Sequence, residues 1–425
     1  MNAYDAAYIA AIPAFAPVIA YKRLRYGKYR DSLPGMLGRR LPSEPLAPAV
    51  EHRCWMHSVS VGETVAASSL YREFRHRAPG WEFLCTTTTE TGQAQARRAM
   101  DSAERVAFAP ADFSWTVRRF FDAYRPSVYL FFETEIWPNT LIEAGRRGLP
   151  VFMVNGKLSD RSARRYRQFR GVFREPLASV RRFFMQTEAD AERMARVLGS
   201  DERIEVTGNV KFDALPEALS PDERAALRRE WGIAEDAPVV LFGSTHPGEE
   251  SLALQAFAQV RESLPDARLV IAPRHPERFD DVWQLIGERF GESRHRASAG
   301  PAQGASAVVL LDKMGVLARS FGAADVACLG GSWAKIGGHN LLEPAVHGIP
   351  VLRGPHMHAQ KEIVRILGPE QGAPEVAEGD LAPVLAELLL DTEKRQQLGA
   401  MAREAAISNR GAAGRVAGRI LEIVN

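Results

Sequence analysis

Cysteine is scarce in this chain: three residues in 425, Cys54, Cys85 and Cys328. They lie far apart and none sits in a Cys-x-x-Cys pair. That excludes a disulfide framework or a zinc knuckle and fits a reducing compartment. Each is in or beside an apolar run, so buried thiols without a chemical task are expected. Net charge is only +2, and no whole-molecule field favours a nucleic acid partner. Low-complexity tracts and short-period repeats are missing. There is no Walker A sequence, no Gly-x-Gly-x-x-Gly after the first strand, no His-Glu-x-x-His and no Asp-x-Asp. These absences remove the main support for a kinase, an ATPase or a metal-dependent sugar transferase.

A full membrane-length apolar run is also missing. The most apolar stretch, Ala6 to Ala20, reads AAYIAAIPAFAPVIA. It is shorter than the roughly 20 residues that span a bilayer, and Pro13 and Pro17 are expected to interrupt it. Lys22, Arg23, Arg25, Lys28 and Arg30 follow it, the reverse of a signal peptide, whose positive charges come first. An apolar segment with a basic flank suits the surface of an anionic leaflet. Residues 1–30 are therefore read as a membrane-associating segment, with a first helix packed on the body of the protein as the alternative.

A length of 425 residues exceeds what one compact core usually holds. After residue 50 short β-rich runs alternate with helical patterns. Trp55–Val59, Phe83–Thr87, Val106–Ala109, Val128–Phe132, Val151–Val154, Phe183–Gln186 and Ile204–Thr207 read as strands. Glu63–Phe74 and Phe113–Tyr124 carry helical spacing. The alternation pauses over Asp213–Pro238 and resumes with strands at Val239–Phe242, Leu269–Ala272, Val308–Leu311, Val326–Leu329 and Pro350–Leu352. Helices are expected from Leu381 to the end. This is α/β architecture in two halves, each a parallel sheet covered on both faces. The expected boundaries are 31–212 for the first domain, 213–238 for a linker and 239–425 for the second domain with its terminal helices.

Ligands of doubly wound sheets bind beyond the carboxyl ends of the strands, so the residues just after strands are the candidates. His57-Ser-Val-Ser60-Val-Gly62-Glu63-Thr64 ends the first strand. Ser60 or Gly62 starts the next helix and Glu63 falls in its first turn, where the dipole favours a charged carboxylate. That makes a weaker base unless burial or a neighbouring acid compensates, and the spacing alone equally suits an ordinary helix-end acid. The threonine run 86–89, followed by Gly92, suits a helix cap or an anion grip. Glu133 and Glu135 follow the Val128–Phe132 strand, with Pro138 placed for a first helical turn. Either acid suits sugar hydroxyls or raises the pKa of a nearby acid. In the second half, Ser244 and Thr245, then Arg274 and His275, put small, hydroxyl or basic groups at strand-to-helix turns, as a phosphate requires. Gly331, Ser332, Gly337, Gly338 and Asn340 form a glycine-rich approach to a helix expected to open at Asn340. Glu343 is placed to take both hydroxyls of a ribose. Together these turns read as a nucleotide site.

In order, His57–Glu63, Glu133–Asn139, Asn155–Ser162, Thr207–Asp213, Ser244–Glu250, Pro273–Arg278 and Gly337–Glu343 resemble the 3-deoxy-D-manno-oct-2-ulosonic acid (Kdo) transferases of lipopolysaccharide synthesis. The resemblance covers nearly the whole chain. It implies a GT-B fold, two Rossmann-like domains facing a central cleft, with the acceptor in the first half and a cytidine nucleotide in the second. It implies CMP-Kdo as donor, a tetraacylated lipid A precursor as acceptor, inversion in a single displacement, and no metal or other cofactor. It places the enzyme on the cytoplasmic side of the inner membrane. The glutamate of the family's Ser-x-Gly-Glu motif is its general base, which falls on Glu63. CMP would then be steadied by the amides near Gly338 and Asn340, with Arg274 and Lys211. Arg161, Arg164, Arg165, Arg167, Arg170 and Arg174 on one expected helix suit the acceptor's phosphates. Two rival readings share parts of this pattern. One is another GT-B enzyme such as a UDP-N-acetylglucosamine 2-epimerase, and the other is a non-catalytic nucleotide- or lipid-binding envelope protein.

Overall fold

The computed structural model describes residues 1–26, 29–49, 51–101 and 104–424; Lys28 of the basic flank lies outside them. Two compact units separate: residues 1–214 with 409–425, and residues 215–408.

The first unit holds seven strands: β1 (Arg53–His57), β2 (Glu82–Thr87), β3 (Arg105–Phe108), β4 (Val128–Phe132), β5 (Val151–Gly156), β6 (Arg182–Met185) and β7 (Ile204–Val206). Their order is β3-β2-β1-β4-β5-β6-β7, and every pairing is parallel. β1 and β4 are buried along their whole length, as central strands with helices on both faces must be. The chain reverses its winding between these two strands, so the crevice at their carboxyl ends is the switch point. Cys54 and Cys85 are buried in this sheet, and Cys328 in the second.

The N-terminal segment departs from the expectation. It is one helix, Ala3–Tyr26, running through Pro13 and Pro17. Each proline removes one backbone donor but leaves the rest of the ladder able to continue. At about 1.5 Å per residue the helix is roughly 36 Å long, and it is long and apolar enough to cross a membrane. Its foot is docked on the first unit. Asp5, wholly buried, accepts hydrogen bonds from the Ser114 amide and hydroxyl at 2.8 and 2.7 Å. Tyr8 donates to Asp112 at 3.0 Å. Beyond that, Ile9, Ile12, Phe15, Val18, Tyr21 and Leu24 are exposed.

The second unit holds β8 (Val239–Thr245), β9 (Arg268–Pro273), β10 (Arg294–Arg296), β11 (Val308–Leu310), β12 (Val326–Leu329) and β13 (Val351–Arg353). Their order is β10-β11-β9-β8-β12-β13, also parallel. Here the switch point lies between β8 and β12.

Two domain boundaries are corrected. The segment 213–238 is not a plain linker. Its helix Pro221–Glu230 belongs to the second unit, where Arg224 and Arg228 pair with Asp325 at 2.7 and 2.9 Å. The last helix, Ala412–Val424, belongs to the first unit, not the second. Its Ala413, Val416, Ala417 and Ile420 pack in one core with Ala66, Leu70 and Phe74 of the helix Val61–Arg77. Asp213 caps it, accepting from the Gly411 and Ala413 amides at 2.5 and 2.9 Å.

Candidate active site

At the switch point of the first sheet, β1 runs through Ser58 and Val59 into the helix Val61–Arg77. Ser60 is the N-cap and accepts from the Glu63 amide at 3.3 Å. The Glu63 carboxylate folds back: Oε2 accepts from the Val59 amide at 2.8 Å and Oε1 from the Ser60 hydroxyl at 2.9 Å. Glu63 is 6% exposed. Burial raises its pKa above the ordinary carboxylate range; the two hydrogen bonds pull it down, and the charges of Glu133 and Glu135 push it up again. The compensation that the helix dipole demands is therefore present, mainly as desolvation. Each carboxylate oxygen keeps a second lone pair for a substrate proton.

The two neighbouring acids come from the end of β4. Glu133 stands in the left-handed region at φ 56° and accepts from Lys211 Nζ at 2.5 Å. Glu135 accepts from the Trp137 indole at 3.1 Å. The Trp137 ring meets His57 edge to face at 5.2 Å. His57 is buried, which lowers its pKa to about 4 and keeps the ring neutral. Lys211 is set by Asn155, another left-handed residue (φ 58°), whose side chain accepts from the Val210 amide at 3.1 Å. A β-carbon on Gly62 would stand 3.8 Å from the Lys211 ammonium, so that cation faces the first turn that carries Glu63. The threonine run resolves toward capping: Thr89 accepts from the Gly92 amide at 3.0 Å.

In the second unit a pocket of about 440 Å³ is lined by Ser244, Arg274, His339, Asn340 and Glu343, among others. Ser244, the last but one residue of β8, stands at φ 57°. A β-carbon on Gly330 would lie 2.3 Å from the Ser244 carbonyl, so only glycine lets the β8 and β12 loops touch here. His246 and His339 place their Nε2 atoms 2.9 Å apart, and His275 meets the His246 ring at 5.5 Å. Burial, then mutual repulsion, lowers the His339 pKa to about 4. An arriving phosphate would reverse that balance and favour a proton on the pair. Glu343 accepts from Asn340 Nδ2 at 3.3 Å; burial raises its pKa, against the pull of Asn340 and the Arg274 charge.

Several expected ligand contacts are corrected. The Thr245 hydroxyl is buried and donates to Glu250 at 2.7 Å. Ser332 is wholly buried and accepts from the Gly354 amide at 2.8 Å. The Gly331 amide donates to Glu249 at 2.7 Å. Those of Gly337 and Gly338 both donate to the Gly331 carbonyl at 3.0 and 2.7 Å. These residues close the loop on itself instead of offering donors to a phosphate. No helix opens at Asn340: one turn, Leu342–Ala345, follows, and Asn340 Oδ1 accepts from the Leu342 amide at 3.1 Å. Sequence reasoning missed Glu249, which is 2% exposed. It binds the amides of His246, Gly331, Trp333 and Ala334 at 2.7–3.0 Å. Its signal was an acid at a helix start straight after a strand. Also missed was the His246–His339 pair, whose partners lie 93 residues apart. The arginine-rich stretch is two helices, Asp160–Gln168 and Arg170–Ala178, with its six arginines exposed.

Two parallel doubly wound units, each with its candidate residues beyond the switch point, make up the GT-B fold. A model of the 3-deoxy-D-manno-octulosonic-acid transferase (kdotransferase) family matches residues 25–214. The 3-deoxy-D-manno-octulosonic acid transferase of Bordetella pertussis is 35% identical over 376 residues, 84% of this chain and 85% of that protein. That of Haemophilus influenzae is 32% identical over 361 residues, 84% of each. Among solved structures, UDP-GlcNAc 2-epimerase from Neisseria meningitidis bound to UDP-GlcNAc matches with a TM-score of 0.59. That match covers 87% of this chain and 100% of the epimerase at 13% identity, a likeness of fold alone. The chain belongs to the Kdo transferase family.

Proposed function

We propose that this enzyme transfers Kdo from CMP-Kdo to a tetraacylated lipid A precursor, with inversion, in lipopolysaccharide core biosynthesis. The observation that carries the reading is Glu63: buried, oriented by two hydrogen bonds, and raised in pKa beside two further acids. Its carboxylate takes the proton of an acceptor sugar hydroxyl as that oxygen bonds to the anomeric carbon of Kdo. The bond from that carbon to the phosphate oxygen breaks on the opposite face, and the electron pair leaves with CMP. Stabilising the departing phosphate falls to Arg274, with the His246–His339 pair free to take up a proton. Glu343 takes the ribose hydroxyls. Lys211 is bonded to Glu133, so it is assigned to acceptor binding and to the field at Glu63. Arg164, Arg167 and Arg196 line a recess of about 360 Å³, which suits an acceptor phosphate. The long apolar helix Ala3–Tyr26 and its basic flank support placement at the cytoplasmic face of the inner membrane.

The test is transfer from CMP-Kdo to the lipid A precursor by purified protein in EDTA, wild type beside Glu63→Ala. Product from wild type alone is expected. A folded wild type that binds CMP without turnover would favour a binding protein, and undiminished product from the variant would move the base to Glu133 or Glu135.

A further inference from the structure

The first unit has a second concave feature that the reading above leaves without a task. A groove of about 390 Å³ is lined by Tyr8, Met36, Ala111, Phe113, Ile136 and Trp137, with Asp112 at its edge. The polar groups of its walls bond to the protein itself. Asp112 accepts from the Asn139 and Thr140 amides, the Thr140 hydroxyl and the Tyr8 hydroxyl, all within 3.0 Å. The Trp137 indole donates to Glu135. What remains facing the groove is mostly carbon, and a cavity of that kind favours apolar matter over water.

Its lining comes from two different parts of the first unit. Tyr8 belongs to the foot of the apolar helix, just before the exposed Ile9, Ile12 and Phe15. Trp137 packs on His57 and holds Glu135, whose charge reaches Glu63. The groove is thus shared by the foot of the long apolar helix and the loop that carries two acids of the candidate site. We propose that it takes an acyl chain of the acceptor, so that the lipid is held by one chain while its sugar reaches Glu63. This rests on the acceptor being a lipid, as argued above. A volume of this size admits on the order of ten methylene groups, at about 30 Å³ for a water-sized group.

The test uses the full chain and two acceptors with the same phosphorylated disaccharide, one bearing long acyl chains in detergent and one bearing acetyl groups in water. Wild type should turn over both, with a lower KM for the long-chain acceptor. Ala111→Trp fills the groove and should raise that KM about tenfold, the worth of roughly two buried methylenes. It should leave kcat and KM for the acetylated acceptor unchanged, which also reports that the variant is folded. Met36→Trp fills the groove from a second residue of its lining, whose carbonyl accepts from the Ala111 amide at 2.8 Å, and should split the acceptors in the same way. Equal KM values for the two acceptors in wild type, or variants that impair both acceptors alike, would overturn the groove and leave the transferase reading standing. A wild type that turns over neither acceptor would refute the transferase reading instead.

Discussion

Glu63 draws two opposing influences into one side chain. The helix start and its two donors favour the charged form, while burial and two nearby acids oppose it, and opposition prevails. A base must be ionised, so activity is lost as pH falls through its pKa. A raised pKa therefore moves the acid limb of kcat/KM above the ordinary carboxylate range. Glu135→Gln removes a like charge, lowers the Glu63 pKa and should shift that limb to lower pH; a pH–rate profile of the variant beside wild type reads it directly. Glu63→Gln keeps the shape and one acceptor oxygen but cannot take a proton. Its kcat should fall by about 10²–10⁴, with CMP affinity by calorimetry unaltered. Three left-handed non-glycine residues, Glu133, Asn155 and Ser244, sit beside the last residues of β4, β5 and β8. Such backbone costs on the order of 1 kcal/mol or more and gathers where a site over-determines it.

At the scale of elements, buried charge decides how the second unit is fastened. Glu249 satisfies four backbone amides from two loops. Glu249→Ala would leave them without an acceptor, and roughly 3 kcal/mol or more of stability should be lost. Thermal unfolding should show that loss, with much faster hydrogen exchange around Gly331. Asp325→Ala would take the carboxylate from Arg228, whose side chain is 3% exposed, and leave its charge to the Ala323, Glu235 and Ala237 carbonyls. It should release the helix Pro221–Glu230 at a cost of about 3–5 kcal/mol, seen as early protease cleavage between residues 215 and 238. Much of this level was legible in the sequence: among the described residues, twelve of the thirteen strands lie where apolar runs placed them. The exception, β10, is Arg-His-Arg at a sheet edge, where a strand needs no apolar face and leaves no pattern. The glycine loop was misread because its composition suits a phosphate cradle, whereas the partners that occupy its amides, Glu249 and the Gly331 carbonyl, come from other parts of the chain or from the loop itself. Hydrogen bonds between distant segments leave no local spacing to read. Glu63, Glu133 and Glu135 could be placed because each follows a strand that pairs at the switch point.

The whole molecule adds two properties that no single motif carries. The Ala3–Tyr26 helix is anchored at its foot and exposes its apolar length. Replacing Phe15 and Val18 together by aspartate should move the protein from the membrane pellet to the supernatant. Turnover of a water-soluble acceptor should persist, because neither residue touches the groove or Glu63. The second property is the return of the chain to its first unit. Residues 215–408 are inserted between two parts of the unit that holds the candidate base. During synthesis the unit begun first is completed last: its core waits for Ala413, Val416 and Ile420 to emerge after the entire second unit. A nascent chain stalled near residue 408 would carry a finished second unit and a first unit with an open apolar flank, and a premature stop at the end of one unit would injure the other.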